Sequence, residues 1–206
     1  MNTLAIKKVM FDILPLEGNS WDEFESYFTI KNVKKGELLL NIGEVCKHVY
    51  FINSGLVRCF YYSGSEQKEV TGQFFSDNRF LTDYYSFICQ GPGNMGIEAL
   101  EDSEIISIPR PGIYNMYDKY HSAERFGRLI AEQTFIEMHE SIVGERTLSP
   151  EERYIKFIEE RFSIFQRISL SMVASYLQIT PEHLSRIRKK LASKPMTKSV
   201  GLHKVA

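Results

Sequence analysis

The sequence predicts an α+β protein in three consecutive parts: an N-terminal β-roll, one long helix and a C-terminal unit of short helices. Short apolar runs separated by glycines occupy residues 33–75, no proline interrupts residues 119–146, and two short helical patterns follow between residues 169 and 191. With 206 residues, 43% of them hydrophobic, the chain can bury a sizeable core. We expect the three parts to span residues 1–118, 119–147 and 148–206.

The β-roll is predicted from residues 33–75, "VKKGELLLNIGEVCKHVYFINSGLVRCFYYSGSEQKEVTGQFF". Its short runs of Val, Tyr, Phe and Leu are separated by Gly36, Gly43, Gly55, Gly64 and Gly72. Such runs, bounded by turn residues about every 8 to 12 positions, are typical of an all-β barrel or sandwich. A second strand-like stretch, "GIEALEDSEIISIP" at residues 96–109, is expected to return to the same sheet.

The long helix of residues 119–146 carries apolar residues on two sides. One stripe consists of Ala131, Phe135, Met138 and Ile142, and is expected to cover the β-roll. The other consists of Phe126, Leu129, Ile136 and Val143 at heptad-like spacing, with Gln133 and Glu140 at the remaining seam positions, and predicts contact with the same helix of a second subunit. The alternative is a helix buried between two parts of one monomer.

The C-terminal unit begins with a helix-capping pattern in "LSPEERYIKFIEERF". Ser149 is expected to cap the helix, Pro150 fits its first position, and Glu152 completes a capping box. Tyr154, Ile155, Ile158 and Phe162 are the predicted buried stripe.

The stretch "ISLSMVASYLQITPEHLSRIRKKLASK" predicts two more short helices. Ser169 is expected to cap the first, and Thr180, followed by Pro181, the second. Only Gln178 and Ile179 separate Leu177 from the second cap. This is the spacing of a helix-turn-helix unit.

The second of these helices has a core face and a polar face. Leu184, Ile187 and Leu191 recur at core spacing, whereas Glu182, Ser185, Arg186 and Lys189 share the opposite side. In a DNA major groove Arg can donate to guanine, Glu can accept from cytosine, and Lys can contact phosphate. The alternative is a solvated helix in which Glu182 and Arg186 merely pair, which contributes about 0.2 to 0.5 kcal/mol.

Charge is distributed unevenly along the chain. Residues 148–206 carry 11 Lys and Arg against 5 Asp and Glu, whereas residues 1–147 carry 14 against 21. A basic unit on an acidic body favours a polyanionic partner such as nucleic acid, although an uneven surface without a partner fits the same counts.

Catalytic, metal and membrane classes lack support in the sequence. The three cysteines have no C-x-x-C spacing and are expected to be buried free thiols, and the five histidines are scattered without an H-x-H pair. We therefore expect no enzyme activity, no metal and no cofactor. The segment "MNTLAIKKVMFDIL" lacks the apolar core of a signal peptide, and no window approaches a membrane span, so we expect a cytoplasmic protein.

The order of these parts resembles that of the Crp/Fnr transcription regulators over nearly the whole chain. "EHLSR" at residues 182–186 is similar to the recognition-helix pattern of the Fnr-like branch, and "VYFINSGLVRCF" at 49–60 resembles the β-roll signature of the family. The resemblance implies a double-stranded β-helix, a dimerisation helix and a winged helix-turn-helix that binds double-stranded DNA. It also implies a homodimer and RNA polymerase as partners, with Glu182, Ser185 and Arg186 as base contacts; Thr180, Lys189 and Lys190 complete the predicted interface.

The sequence departs from the cyclic-nucleotide-binding members of that family. No Gly-Glu pair occurs between Gly64 and Arg110, and the segment "QGPGNMGIEA" at residues 90–99 has no Arg for a phosphate. We therefore expect no binding of cyclic AMP. Iron-sulfur sensing of the Fnr type is also not expected, because no cysteine precedes Cys46. Gln178 stands where the family often has a turn glycine, which implies a different or slightly strained turn.

An aromatic cluster takes the place of the missing cassette: Phe74, Phe75, Phe80, Tyr84, Tyr85 and Phe87. These rings either form plain core or line an apolar pocket for an unidentified effector, for which we name Phe74, Arg79, Tyr84 and Tyr85. The competing function is a ligand-sensing module whose basic C-terminal unit contacts another protein instead of DNA. Steep salt dependence of duplex binding would separate the two.

Overall fold

A computed structural model of the chain describes residues 2–15, 20–64 and 68–193. The helices of this part are α1 (Leu4–Ile13), α2 (Ser20–Glu25), α3 (Tyr84–Cys89), α4 (Arg110–Lys119), α5 (His121–Thr147), α6 (Pro150–Phe165), α7 (Leu170–Tyr176) and α8 (Pro181–Ser193). The strands are β1 (Thr29–Val33), β2 (Leu38–Leu40), β3 (His48–Ser54), β4 (Leu56–Ser63), β5 (Lys68–Ser76), β6 (Phe80–Leu81), β7 (Gly96–Ala99) and β8 (Ser103–Pro109).

The strands form two four-stranded antiparallel sheets, in the orders β1-β8-β3-β6 and β2-β7-β4-β5. Val57, Ile97 and Ile105 are fully buried in the core of this β-roll. Residues 96–109 do not return to one sheet as expected: β7 pairs with β2 and β4, whereas β8 joins the other sheet between β1 and β3. The short break between them lets the chain pass from one sheet to the other.

Gly55 joins β3 to β4 at a point where no other residue fits. Its φ is 121°, and a Cβ atom there would lie 2.0 Å from Oγ of Ser103. Both the backbone conformation and the lack of space therefore require glycine. This explains the glycine within the "INSGLV" stretch.

The first turns of α5 pack on the β-roll and the remainder is largely exposed. Phe126 is buried, with its ring centroid 5.8 Å from that of Phe80, so the expectation that it contacts a second subunit is wrong. Phe135, expected to cover the β-roll, is instead 63% exposed. Ile136 and Val143 are also exposed, so the protomer leaves apolar surface along this helix uncovered.

The capping box at the start of α6 is present as predicted. Ser149 Oγ accepts a hydrogen bond from the Glu152 amide at 3.3 Å, and the Glu152 carboxylate accepts one from the Ser149 amide at 2.8 Å. The helix is irregular at Arg161, where φ is −134° and ψ is 36°. Phe162, which directly follows, is 55% exposed, so its predicted place in the buried stripe is wrong.

The C-terminal helices pack against β4 and β5 of the same protomer. Phe74 lies in a shared apolar cluster, with ring centroids 5.6 Å from Tyr176 and 6.1 Å from Phe157. Arg161 Nη1 donates to Gln73 Oε1 at 2.8 Å. The prediction that Phe74 lines an effector pocket is therefore wrong, because docking of α6 and α7 buries it in this interface.

Further sequence expectations concern the cysteines, membrane spans, metal sites and the C-terminal segment. Cys46 and Cys59 are buried free thiols, but Cys89 is exposed, contrary to expectation. Within residues 2–15, 20–64 and 68–193, no helix is long and apolar enough to cross a bilayer, and no cluster of His, Cys, Asp or Glu is placed to hold a metal ion. No strand follows β8 within the described residues, and 194–206, the remainder of the predicted winged unit, lie outside them.

Candidate nucleic-acid interface and effector cavity

Helix α8 has the two faces that its sequence predicts. Leu184 and Ile187 are buried against α6 and α7. The polar residues expected on the other side are all exposed: Glu182, Ser185, Arg186 and Lys189. Because the apolar side fixes the rotation of the helix, this polar stripe has one orientation relative to the rest of the unit.

Helices α7 and α8 each begin at a side-chain cap, and a short turn joins them. Ser169 Oγ accepts a hydrogen bond from the Met172 amide at 3.3 Å, and Thr180 Oγ1 accepts one from the His183 amide at 3.2 Å. Between the helices Gln178 has a φ of 55°, the left-handed conformation that glycine adopts most readily. The predicted caps and the strained turn are both present.

The charged residues of α8 differ in whether they already have hydrogen-bond or ion-pair partners within the protein. Hydrogen bonds from its own amide and from Thr180 lower the pKa of Glu182, so its carboxylate is an acceptor at neutral pH. Lys190 forms an ion pair with Glu151 on α6. Arg186 and Lys189 form no salt bridge with any residue that the structure describes, and they are the more available cations on the stripe.

A cavity of about 620 Å³ lies between the β-roll and α5. Arg79, Tyr84 and Tyr85, three of the four predicted pocket residues, line it. Helix α5 forms the opposite wall, with Ala131, Met138 and Ile142 of the stripe predicted to cover the β-roll. Ile130 and Thr134 also line it, although the prediction did not include them.

The charged lining of the cavity is mainly acidic. Asp83, Glu137 and Glu145 contribute carboxylates, and Arg79 is the sole Lys or Arg among the described residues that line it. Arg79 Nη2 lies 2.7 Å from Glu137 Oε2 in an ion pair that joins the loop after β5 to α5. The one cation is therefore already neutralised by its partner.

Asp83 is a buried acidic residue of the cavity lining, and sequence analysis missed it. Its Oδ1 accepts a hydrogen bond from the Ser86 amide at 3.2 Å and so caps α3. Its Oδ2 is buried and has no hydrogen-bond partner among the described residues. Burial is the main cause that raises the pKa of the Cys59 thiol to about 12, and it also raises the pKa of the Tyr61 hydroxyl. The nearby charge of Asp83 raises both pKa values further. A lone Asp within an aromatic stretch was the signal available in the sequence.

Residues 30–120 match the cyclic nucleotide-binding domain family. A comparison with curated proteins finds no match. Among solved structures, FixK2 from Bradyrhizobium japonicum has a TM-score of 0.71 and 17% identity, over 81% of this chain and 85% of that one.

Two further structures are similar over most of their length. A Eubacterium rectale protein described as a transcriptional regulator of the Crp/Fnr family has a TM-score of 0.68 and 20% identity, over 86% of this chain and 84% of its own. CLP, a c-di-GMP-responsive global regulator from Xanthomonas campestris, has a TM-score of 0.69 and 14% identity, over 86% and 92%. The resemblance to Crp/Fnr regulators is confirmed at the level of the fold.

Proposed function

We propose, from this Crp/Fnr-like fold, that the protein is a homodimeric transcription regulator that binds specific double-stranded DNA through α8. The observation that carries the proposal is the exposed stripe of Glu182, Ser185, Arg186 and Lys189 on a helix whose other face is buried. The stripe combines acceptor and donor groups suited to base edges with a cation suited to phosphate. Thr180 and Lys190 lie at its margins.

The dimer in this proposal forms through α5. Ile136 and Val143 are exposed apolar residues one heptad apart, and Leu129 continues the same line one heptad earlier. Gln133 is exposed beside them. Pairing this line with its copy would remove apolar surface from water and place two copies of α8 on one duplex.

The β-roll is assigned the role of a sensor for a small molecule. The volume of the cavity exceeds the lower limit of about 300 Å³ that is usual for small-molecule sites. Its walls include Tyr176 and Gln178 of the C-terminal unit as well as α5. A ligand there would contact both the proposed dimer helix and the unit that carries α8. We assign the protein no catalytic activity and place it in the cytoplasm with its DNA, where RNA polymerase is the further partner that the fold resemblance suggests.

Selection of bound duplexes from a random pool tests the proposal most directly. We expect a recovered sequence with two symmetric half-sites about one helical turn, or a multiple of it, apart. We also expect affinity to fall steeply as salt rises, because phosphate contacts release counterions. Recovery of no preferred duplex, with weak binding at low salt, would instead support the protein-binding module.

A further inference from the structure

The hairpin formed by β4 and β5 extends from the β-roll to the C-terminal pair of helices. The backbone amide of Thr71 on β5 donates to Ser175 Oγ on α7 at 2.9 Å. Tyr61 and Val70, which are partners across the two strands, line the cavity whose wall also includes Gln178 of the turn before α8. One side of the hairpin therefore faces the unit that carries the polar stripe.

Lys68 is a cation on this side of the hairpin. Side chains alternate along a strand, so Lys68 lies on the same side of β5 as Val70. The next residue, Glu69, points to the other side, where it pairs with Arg58. Lys68 is exposed, and it forms no ion pair with any residue in the described ranges 2–15, 20–64 and 68–193. Its charge is available to a partner outside the protomer.

The charge of Lys68 acts on the first residue of the polar stripe. Hydrogen bonds from its own amide and from Thr180 are the main causes that lower the pKa of Glu182, and the charges of Arg186 and Lys68 lower it further. Salt screens exposed charges beyond about 10 Å, so Lys68 and Glu182 are close neighbours on the surface. Lys68 thus lies beside the N-terminal end of α8, the end from which such helices contact base edges.

The dimensions of DNA determine what a cation in this position can contact. The major groove is about 12 Å wide, and the phosphates of the two strands form its rims. With α8 in the groove, a group just outside the N-terminal end of the helix meets a rim and not a base edge. The ammonium of a lysine, a compact charge on a flexible stem, suits a phosphate.

We propose that the β4–β5 hairpin is a second DNA-contacting element, in which Lys68 binds a phosphate at the rim of the groove that α8 occupies. This deepens the proposed function and rests on it. The β-roll and the helix-turn-helix unit then hold the same duplex together. Because phosphate contacts carry no sequence information, Lys68 adds affinity and no base preference.

Lys68→Ala in the full chain tests this contact, with the duplex recovered by selection and with a random duplex. Affinity for both duplexes is expected to fall alike, by at least ~5-fold at about 0.1 M salt. Each lost phosphate contact reduces the slope of log affinity against log salt by about 0.9, so a dimer should lose about 1.8. Lys68→Arg retains the charge and should retain both affinity and slope. Fluorescence anisotropy titrations over a salt series measure these quantities.

Lys47→Ala is the matched control. Lys47 is also an exposed lysine of the β-roll, but it lies beside the start of α4, where its carbonyl accepts a hydrogen bond from the Arg110 amide. Its removal should leave affinity and slope unchanged.

Unchanged binding in Lys68→Ala would overturn the proposal. Tighter binding in Lys68→Ala would also overturn it, because the hairpin would then restrain α8 instead of assisting it. A wild-type protein that selects no duplex would defeat the proposed function together with this contact, whereas selective binding that is insensitive to Lys68 would defeat the contact alone. The two failures are therefore distinguishable.

Discussion

The side-chain oxygen of Ser175 on α7 accepts a hydrogen bond from the backbone amide of Thr71 on β5, at 2.9 Å. β5 is an edge strand of its sheet, and Thr71 is 2% exposed. An edge amide that is buried needs a partner from outside the sheet. The first helix of the C-terminal pair thus supplies the partner of one buried β-roll amide, and the two units are joined by more than apolar contact.

Ser175→Ala is expected to lower the free energy of unfolding by about 1 to 3 kcal/mol, because it leaves the Thr71 amide buried without a partner. Chemical denaturation measures this loss. Ser163→Ala is the control, since Ser163 is exposed on α6 and should change stability by less than about 0.5 kcal/mol. Equal stability of the two variants would mean that water replaces the Ser175 hydroxyl.

Local chemistry explains which parts of the fold were predictable from sequence. The caps at Ser149, Ser169 and Thr180 form as predicted, because a cap depends on residues within one helical turn. The core side of α8 was also predictable, because helical periodicity alone determines it. Phe74 was placed wrongly because docking of the C-terminal helices buries it, and Phe162 because it follows an irregular turn of α6. Neither feature leaves a periodic signal in the sequence.

The lining of the candidate cavity was predictable only in part, because contacts made only in the folded protein leave no local signal in the sequence. Tyr84 and Tyr85 were identified because they cluster in sequence. Asp83 was missed because its importance lies in an oxygen that lacks a partner in three dimensions. The α5 wall was predicted in part: Ala131, Met138 and Ile142 belong to the stripe expected to cover the β-roll, whereas Phe126 was assigned to the other side and in fact packs into the β-roll.

Arg186→Ala is expected to weaken binding to the selected duplex by about 1 to 3 kcal/mol and to relax preference at one base pair, because a bidentate contact to guanine would be lost. Lys189→Ala should weaken specific and random duplexes alike. Arg188→Ala is the matched control, because Arg188 is exposed on α8 but lies off the polar stripe. Competition titrations with specific and random duplexes measure both effects. Equal losses for Arg186→Ala on both duplexes would rule out base contact.

Replacement of both Leu129 and Ile136 by Asp should yield monomers, because paired helices would bury unpaired charges at a cost of several kcal/mol. Sedimentation velocity at micromolar concentration measures the change. Thr134→Asp with Ser141→Asp is the charge-matched control, since these exposed residues lie on the cavity side of α5 and should leave the dimer intact. A monomeric wild-type protein under the same conditions would disprove the dimer.

Gln178→Gly is expected to raise the free energy of unfolding by up to about 1 kcal/mol. A left-handed conformation costs a non-glycine residue roughly 1 to 2 kcal/mol, and only part of this gain is offset by the greater freedom of glycine in the unfolded chain. Gln166→Gly is the control, because Gln166 has a φ of −71° and glycine should be destabilising there. Thermal denaturation of both variants should give shifts of opposite sign, and a loss of stability in both would refute the strain at Gln178.

Cyclic AMP and cyclic GMP are expected not to bind, although residues 30–120 match the cyclic nucleotide-binding domain family. A cyclic phosphate requires a cation or several well-aimed amides, and the one arginine of the described cavity lining is held by Glu137 at 2.7 Å. The carboxylate of Asp83 would add repulsion. Glu137→Gln removes the competing charge and should free the Arg79 guanidinium, so this variant is expected to bind cyclic AMP better than the wild type. Calorimetric titration of both proteins measures the difference. Saturable micromolar binding by the wild type that Arg79→Ala abolishes would show that the ion pair opens to admit the phosphate, and would overturn the prediction.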